Sequence, residues 1–202
     1  MKKYSAEIIQ LYHAIQSADY ILIGAGAGLS AAAGLSYADE ELFRSRYPYW
    51  AARGRYSEYH MFSFREWTDT QQWAYMADHV HRVMDETPPL PLYQKLKHLL
   101  QDKNYYILTS NVDRQFLRNQ FPKERLFEYQ GSYDLLCCSQ ACSCNAWAFA
   151  PERNRMLQHI QTADAVSIRM ICRYAPIVVH LHDWPSGIIR NMQKKRHAMM
   201  HG

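Results

Sequence analysis

The feature that most constrains the fold is a run of glycines directly after a short apolar segment. Residues Ile21 to Ile23 are typical of a buried strand, and Leu29 to Ala33 open a helix. The glycines let the backbone turn tightly and approach an anion, which the first N–H groups of the helix also favour. The spacing Gly26-x-Gly28-x-x-Ala31 fits a dinucleotide-binding turn. The sequence therefore predicts a nucleotide site here, with a purely structural glycine turn as the alternative.

Polar residues follow two further segments that are predicted to be strands. The run from Asn104 to Leu108 leads into Thr109-Ser110-Asn111-Val112-Asp113, and the run from Arg125 to Tyr129 leads into Gln130-Gly131-Ser132. Open α/β sheets bind their ligands at the carboxyl ends of their strands, so these polar residues are candidates for a site. Asn and Asp are also favoured as helix caps, and for Asp113 we weigh capping equally with catalysis.

Helices are predicted around these strands. A chain of 202 residues, 48% of them apolar, can form one domain, or one domain plus a small module, with a packed core. The predicted helices cover residues 5–17, 63–86, 91–101 and 113–120. The aromatic residues of the second helical region are expected to pack the core of a lid or small domain; they are Phe64, Trp67, Trp73 and Tyr75.

The order and spacing of these motifs resemble the sirtuins, the NAD-dependent deacylase and ADP-ribosyltransferase family. The resemblance covers roughly residues 5–145 and implies an α/β fold with a Rossmann-like parallel sheet. Only three strands can be counted, so the NAD-binding domain is expected to be incomplete. The matching segments are Gly26 to Ser36, Thr109 to Asp113, Gln130-Gly131 and Cys138-x-x-x-Cys142.

The resemblance also implies a division of the chain and a set of site residues. A Rossmann-like domain would span 1–136 with a helical insert at about 47–86, followed by a partial zinc module at 137–175 and an atypical tail at 176–202. Asn111, Gln130 and Asp113 would be catalytic. The NAD-binding residues would be Gly26, Ala27, Gly28, Ser30, Gly34, Ser110, Asn111 and Gln130.

Three departures from the common deacylases indicate the reaction. Ser36-Tyr37-Ala38-Asp39 replaces the usual Pro-Asp-Phe-Arg, the insert from Tyr47 to Met84 is rich in Tyr and Trp, and Gln130 stands where deacylases carry histidine. Glutamine can hydrogen-bond a ribose hydroxyl but cannot accept its proton. Together these resemble the macrodomain-linked microbial branch of sirtuins, which are protein ADP-ribosyltransferases.

The expected function is therefore NAD-dependent ADP-ribosylation of an acceptor protein. A lipoyl-carrier protein is a candidate acceptor, with a macrodomain partner. One alternative is an inactive remnant or interaction module whose exposed sheet edges and apolar faces would favour aggregation. A second alternative is an NAD-dependent protein deacylase.

Five clustered cysteines indicate metal chemistry in a reducing compartment, and we expect a cytoplasmic protein. A structural zinc site needs four ligands, usually as two pairs. Cys138 and Cys142 form the first pair, with Cys137 and Cys144 nearby, but the second pair of the family is missing. The predicted zinc site is therefore incomplete, with a crowded knuckle of Cys137, Cys138, Cys142 and Cys144 as the alternative.

A change of reading frame would explain the missing pair. If Tyr174 to Val179 is encoded TAT GCC CCC ATT GTG GTG, reading from the third base gives Cys-Pro-His-Cys-Gly. We therefore expect a frameshift between about Ala150 and Tyr174, with a natural divergent tail as the alternative. The sequence of the gene decides between them.

The charge and hydropathy of the chain argue against two classes of partner. A net charge of +4 with scattered Lys and Arg gives no indication of nucleic-acid binding. No apolar run approaches the length that spans a membrane, and the first residues lead into an amphipathic helix without a signal-peptide pattern. We expect neither nucleic acid nor membrane as a partner.

Overall fold

The computed structural model of the chain describes residues 5–136, 146–162 and 165–166. The helices are α1 (Ala6–Ser17), α2 (Ala27–Ala32), α3 (Glu40–Arg46), α4 (Pro48–Ala51), α5 (Glu58–Phe62), α6 (Asp69–His81), α7 (Pro91–Leu99), α8 (Gln115–Arg118) and α9 (Ala150–His159). A π-helical turn (Arg82–Glu86) follows α6, and a 3₁₀ turn (Lys123–Arg125) precedes the third strand. The strands are β1 (Tyr20–Ala25), β2 (Asn104–Thr109), β3 (Leu126–Glu128), β4 (Leu135–Leu136), β5 (Trp147–Ala148), β6 (Ile160–Thr162) and β7 (Ala165–Val166).

A parallel three-stranded sheet in the order β1-β2-β3 carries the domain. Tyr20 pairs with Asn104, and the register runs to Ala25 opposite Thr109. Thr109 in turn pairs with Glu128 at the end of β3. This confirms the predicted α/β fold with a parallel sheet, and it brings the carboxyl ends of all three strands to one edge.

One face of the sheet packs on the core and the other is exposed. Ile107 is fully buried, and Tyr93 of α7 lies edge-on to Phe116 of α8 (centroids 4.9 Å apart) within the same core. Alternate residues of the strands point away, as the two-residue period requires. The exposed face consists of Tyr20, Leu22, Tyr106, Leu108 and Phe127. The expectation of an exposed apolar sheet face therefore agrees with the structure.

Two predicted helices are shorter than the sequence pattern indicated. The region 63–86 is not one helix: α6 begins only after Thr68, whose side chain accepts a hydrogen bond from the Gln71 N–H while the Gln71 side chain accepts one from the Thr68 N–H. Such a capping box fixes a helix start. The predicted helix 113–120 shrinks to α8 because Arg114 (φ 58°) and Gln120 (φ 61°) adopt the left-handed conformation on either side.

The aromatic residues of the insert form a core, as predicted. Trp50 lies edge-on to both Phe64 and Trp67, with ring centroids 5.6 and 6.1 Å apart. Trp67 also contacts Tyr75, which is 2% exposed. Burial of a large apolar side chain contributes about 1.5–3 kcal/mol, so this cluster is a major source of the insert's stability.

A cluster of buried charged and polar side chains forms around Glu58. Glu58 of α5 accepts hydrogen bonds from Nδ1 of His79 (2.9 Å) and Nε of Arg82 (3.0 Å), and its other oxygen pairs with the Arg82 guanidinium. Nε2 of His79 is hydrogen-bonded to the hydroxyl of Tyr133 at 3.0 Å. All four residues are at most 6% exposed. The cluster ties α5 and α6 to the segment that follows β3.

The remaining described elements pack beside the insert. β4 and β5 form an antiparallel pair, as do β6 and β7, and Phe149 before α9 contacts Trp73 of α6. Within the described ranges, no helix combines the length and apolar character needed to cross a membrane. Residues 137–145, which hold Cys137, Cys138, Cys142 and Cys144, lie outside the described residues, as do Cys172 and the tail from 176 onward.

Candidate functional site

The predicted glycine turn lies where the carboxyl ends of β1 and β2 meet. The Ser110 N–H donates to the Ala25 carbonyl at 3.0 Å, so the residues after the two strands are held together. A Cβ at Gly26 would lie 3.3 Å from Oγ of Ser110, a tight contact that favours glycine. A Cβ at Gly28 would meet no protein atom within 4 Å. The turn therefore leaves open space in front of the start of α2.

Four buried polar side chains meet directly behind this turn. Ser30 of α2 donates to Oδ2 of Asp113 at 2.5 Å, and its oxygen lies 2.7 Å from the hydroxyl of Tyr93. The Nδ2 group of Asn111 donates to the oxygens of Ser30 (3.1 Å) and Tyr93 (3.2 Å). The structure thus brings together three residues that the sequence predicted, Ser30, Asn111 and Asp113, and adds Tyr93.

The hydrogen-bond pattern fixes the orientation of Asn111. An ionised Asp113 can only accept, so the Ser30 hydroxyl hydrogen is committed to it. Tyr93 must then donate to Ser30, and Asn111 must donate to both oxygens. Oδ1 of Asn111 makes no hydrogen bond with any described residue. This oxygen is the acceptor that the cluster leaves available to a ligand.

Asp113 serves both of the roles weighed from the sequence. Its Oδ1 accepts the N–H of Gln115 at the start of α8 (3.0 Å), as a cap does, while Oδ2 accepts from Ser30. Burial raises the pKa of Asp113 above its ordinary value, against the hydrogen bonds from Ser30 and Gln115 and the positive charge of Arg118. A raised pKa in the folded state means that this residue stabilises the fold at low pH, and that this contribution is lost as the pH rises through the pKa.

Replacing Asp113 with asparagine is expected to remove this dependence. The melting temperature of the Asp113→Asn variant minus that of wild type should be highest near neutral pH, where the native carboxylate is charged and buried. This difference should fall towards about pH 4, where a carboxyl group takes up its proton. Thermal unfolding of both proteins across this range measures the difference. A difference that is constant with pH would contradict the assigned burial.

Gln130 lies in a loop that is bonded to the residues around Asn111. The Tyr129 N–H donates to the Thr109 carbonyl (3.2 Å), and the Tyr133 N–H donates to the Val112 carbonyl (2.9 Å). Gly131 between them has φ 78°, a conformation that favours glycine. The half-buried side chain of Gln130 makes no hydrogen bond with any residue described. The loop therefore brings Gln130 to the same edge of the sheet as Asn111.

Two further residues predicted to bind NAD, Ala27 and Gly34, lie at the start of α2 and just after its end. Gly34 has φ 105°, and Ala27 is the first residue of α2.

In the described part of the chain, no three His, Cys, Asp or Glu side chains converge in a way that could hold a metal ion. The predicted zinc ligands Cys138 and Cys142 lie outside that part.

Comparisons with known proteins agree with this geometry. Over 135 residues the chain is 38% identical to a probable bifunctional ADP-ribose hydrolase/ADP-ribosyltransferase of Fusarium oxysporum f. sp. cubense, covering 65% of this chain and 22% of that protein. Over 142 residues it is 32% identical to a protein ADP-ribosyltransferase of Staphylococcus aureus (strain Mu50), covering 70% of this chain and 44% of that protein. The chain thus spans less than half the length of either relative. No family model matches it.

The fold is that of Sir2 proteins. A Sir2 homologue in complex with NAD superposes with a TM-score of 0.59 at 18% identity, over 95% of this chain and 68% of that one. A Sir2 homologue variant in complex with ADP-ribose gives a TM-score of 0.56 at 18% identity, over 92% and 68%. The fold is therefore that of a Rossmann-like domain of the Sir2 type. Both sequence relatives carry ADP-ribosyltransferase in their names, and the chain is similar to each of them over about two thirds of its own length.

Proposed function

We propose that this chain binds NAD and transfers its ADP-ribose group to an acceptor protein. The observation that carries the proposal is the buried cluster of Ser30, Tyr93, Asn111 and Asp113 behind a glycine turn with open space at Gly28. The names of both relatives include ADP-ribosyltransferase, which supports the same reaction.

The residues present fit NAD. The open space at Gly28 lies beside the first N–H groups of α2, which have no partner within the helix, and it can receive the pyrophosphate. The bound cofactor supplies an ADP-ribose group whose bond to nicotinamide breaks during transfer. The free Oδ1 of Asn111 accepts a hydrogen bond from a ribose hydroxyl or from the incoming nucleophile. Gln130 orients the ribose and cannot act as a base, which favours transfer over deacylation.

Replacing Gly28 with alanine is expected to weaken NAD binding without unfolding the chain. The added methyl group meets no protein atom, and alanine favours a helix more than glycine does. The same methyl group occupies the space proposed for the pyrophosphate, and overpacking of this kind should raise the Kd about tenfold or more. Isothermal titration calorimetry with NAD measures the change.

Gly24→Ala is the matched control for this variant. A Cβ added at Gly24 would also meet no protein atom within 4 Å, but Gly24 lies in β1 rather than in the turn. Its Kd for NAD should equal that of wild type. Equal affinities for Gly28→Ala and wild type would show that the pyrophosphate does not bind at this turn.

The reaction itself is tested with labelled NAD and candidate acceptor proteins. Label should appear on protein, and no acyl group should be removed from an acylated peptide under the same conditions. Acyl removal would favour the deacylase alternative. Failure to bind NAD would favour the alternative of an inactive remnant, for which the exposed sheet face of Tyr20, Leu22 and Tyr106 is a specific observation.

Zinc and the partners form a further part of the proposal. We propose that Cys138 and Cys142 contribute to a zinc site, which the zinc content of the purified chain measures. The name of the Fusarium relative pairs an ADP-ribose hydrolase with an ADP-ribosyltransferase, and we propose a macrodomain partner for this chain. A lipoyl-carrier protein is the acceptor to test first. Zinc held by cysteine thiolates is consistent with a cytoplasmic location.

A further inference from the structure

Arg114 adopts an uncommon backbone conformation inside the site. It lies between Asp113 and Gln115 with φ 58° and ψ 14°, the left-handed region that arginine rarely occupies. A residue keeps such a conformation only when its surroundings hold it there. The contacts of the Arg114 side chain provide the reason.

The guanidinium of Arg114 bridges two carboxylates. Its Nε donates to Oδ1 of Asp134 at 3.0 Å, and its Nη1 donates to Oε2 of Glu128. The side chains of Arg114 and Glu128 are 18% and 11% exposed, so this pair is largely shielded from water, whereas the side chain of Asp134 is 41% exposed. Shielding makes an ion pair less sensitive to salt and more dependent on geometry than a surface pair.

The two carboxylates flank the segment that carries Gln130. Glu128 ends β3, and Asp134 comes six residues later, so one guanidinium closes the residues from 128 to 134 into a ring. The Gln130 side chain makes no hydrogen bond of its own within the described residues. Its place at the sheet edge therefore depends on the backbone hydrogen bonds of Tyr129 and Tyr133 and on how firmly this ring is held.

We propose that Arg114 is a positioning residue, which holds the loop of Gln130 against the nucleotide site by joining Glu128 to Asp134. The inference rests on the proposed function for its effect on the reaction, but the hold on the loop is independent of it. Arginine suits this task because its planar fork can serve two carboxylates at once, whereas lysine offers a point charge.

Loss of the guanidinium would leave like charges facing one another. Burial raises the pKa of Glu128, the charge of Arg114 opposes that rise, and Asp134 and Asp113 add to it. Without Arg114, Glu128 and Asp134 repel and the two ends of the loop separate. The loop should then exchange its amide hydrogens faster.

The Arg114→Asn variant tests this on the full chain. Asparagine tolerates the left-handed conformation, so the backbone keeps its path while the cation is lost. Amide exchange at Gly131 and Tyr133 should rise about tenfold relative to the β1–β2 amides, as expected when a local opening becomes easier. The turnover number should fall about 10- to 100-fold while the Kd for NAD changes little, because misplacement of a positioning group affects the reaction more than binding. The Arg114→Lys variant should have a loop exchange rate and a turnover number between those of wild type and Arg114→Asn.

Arg46→Asn is the matched control. Arg46 of α3 also bridges two carboxylates, those of Asp78 and Glu86, and neither belongs to the Gln130 loop. It should leave the exchange of the Gln130 loop and the turnover number unchanged. Unchanged loop exchange in Arg114→Asn overturns the proposal, and so does a loosened loop with wild-type turnover. If the wild type transfers no ADP-ribose, the proposed function fails, and the exchange data alone decide whether Arg114 holds the loop.

Discussion

Replacing Asn111 with alanine is expected to lower the turnover number for ADP-ribose transfer by about 10²- to 10³-fold, the loss typical of a buried group that orients reacting atoms. Asn111 is 7% exposed, and its Nδ2 donates to the oxygens of Ser30 and Tyr93, while its Oδ1 makes no hydrogen bond with the described residues. Alanine removes both the free acceptor and the donor that orients the cluster. Steady-state kinetics with labelled NAD measures the loss.

The Kd for NAD should change far less than the turnover number. The proposed pyrophosphate contacts lie at Gly28 and the start of α2, which Asn111 does not form. An interaction made mainly in the transition state lowers turnover when it is removed, whereas uniform binding lowers affinity. Titration of NAD into the variant separates the two.

Asn119→Ala is the matched control for Asn111→Ala. Asn119 is also a buried asparagine, 4% exposed, and its Nδ2 donates to the Gln115 carbonyl at 2.8 Å. Alanine removes this bond and a second one to Oε1 of Gln115 (3.2 Å), each with a net value of about 0.5–1.5 kcal/mol of stability, without an effect on turnover. Equal kinetic losses in the two variants would mean that Asn111 acts through folding alone.

The sequence predicts the sheet and the edge where the site lies, because both depend on local patterns. A short apolar run before Gly26 and polar residues after Leu108 are readable one segment at a time. Parallel pairing then brings Ser30, Asn111 and Asp113 together without any knowledge of side-chain contacts. This part of the site follows from strand ends and turn chemistry.

The partners of these residues could not be predicted in the same way. Tyr93 reaches Ser30 across 63 positions of the chain, and His79 reaches Tyr133 across 54. Such pairs leave no periodic signal, since they depend on how α6 and α7 pack on the rest of the fold. The shortening of α8 has the same origin: nothing in the pattern of residues 113–120 shows that Arg114 adopts a left-handed conformation and pairs with carboxylates further along the chain.

Replacing Glu58 with alanine is expected to lower the free energy of unfolding by about 3–5 kcal/mol, because breaking a buried ion pair leaves its partner charge unpaired. The side chains of Glu58 and Arg82 are 5% and 8% exposed, so water cannot replace the lost carboxylate. His79 also loses its acceptor at Nδ1. Denaturant unfolding with a constant m-value measures the change.

Three further variants test this prediction. Glu40→Ala breaks an exposed pair with Arg44 and should cost less than about 1 kcal/mol. Glu58→Gln preserves the size of the side chain and one acceptor oxygen, and it can be measured if the alanine variant does not fold. Addition of Arg82→Met to Glu58→Ala should recover part of the loss, since the unpaired charge is then gone. Purely additive losses in the double variant would contradict a direct ion pair.

The pH dependence of stability distinguishes Glu58 from Asp113. Burial alone would raise the pKa of Glu58, but His79 and Arg82 outweigh it and hold the pKa below the ordinary value. The stability that Glu58 contributes is therefore present above its unfolded pKa and is lost as the pH falls through the folded one. Asp113, with a raised pKa, has the opposite sign. Acid should thus destabilise wild type more than Glu58→Ala, and a parallel pH profile for the two proteins would show that the carboxylate is not held by its cationic neighbours.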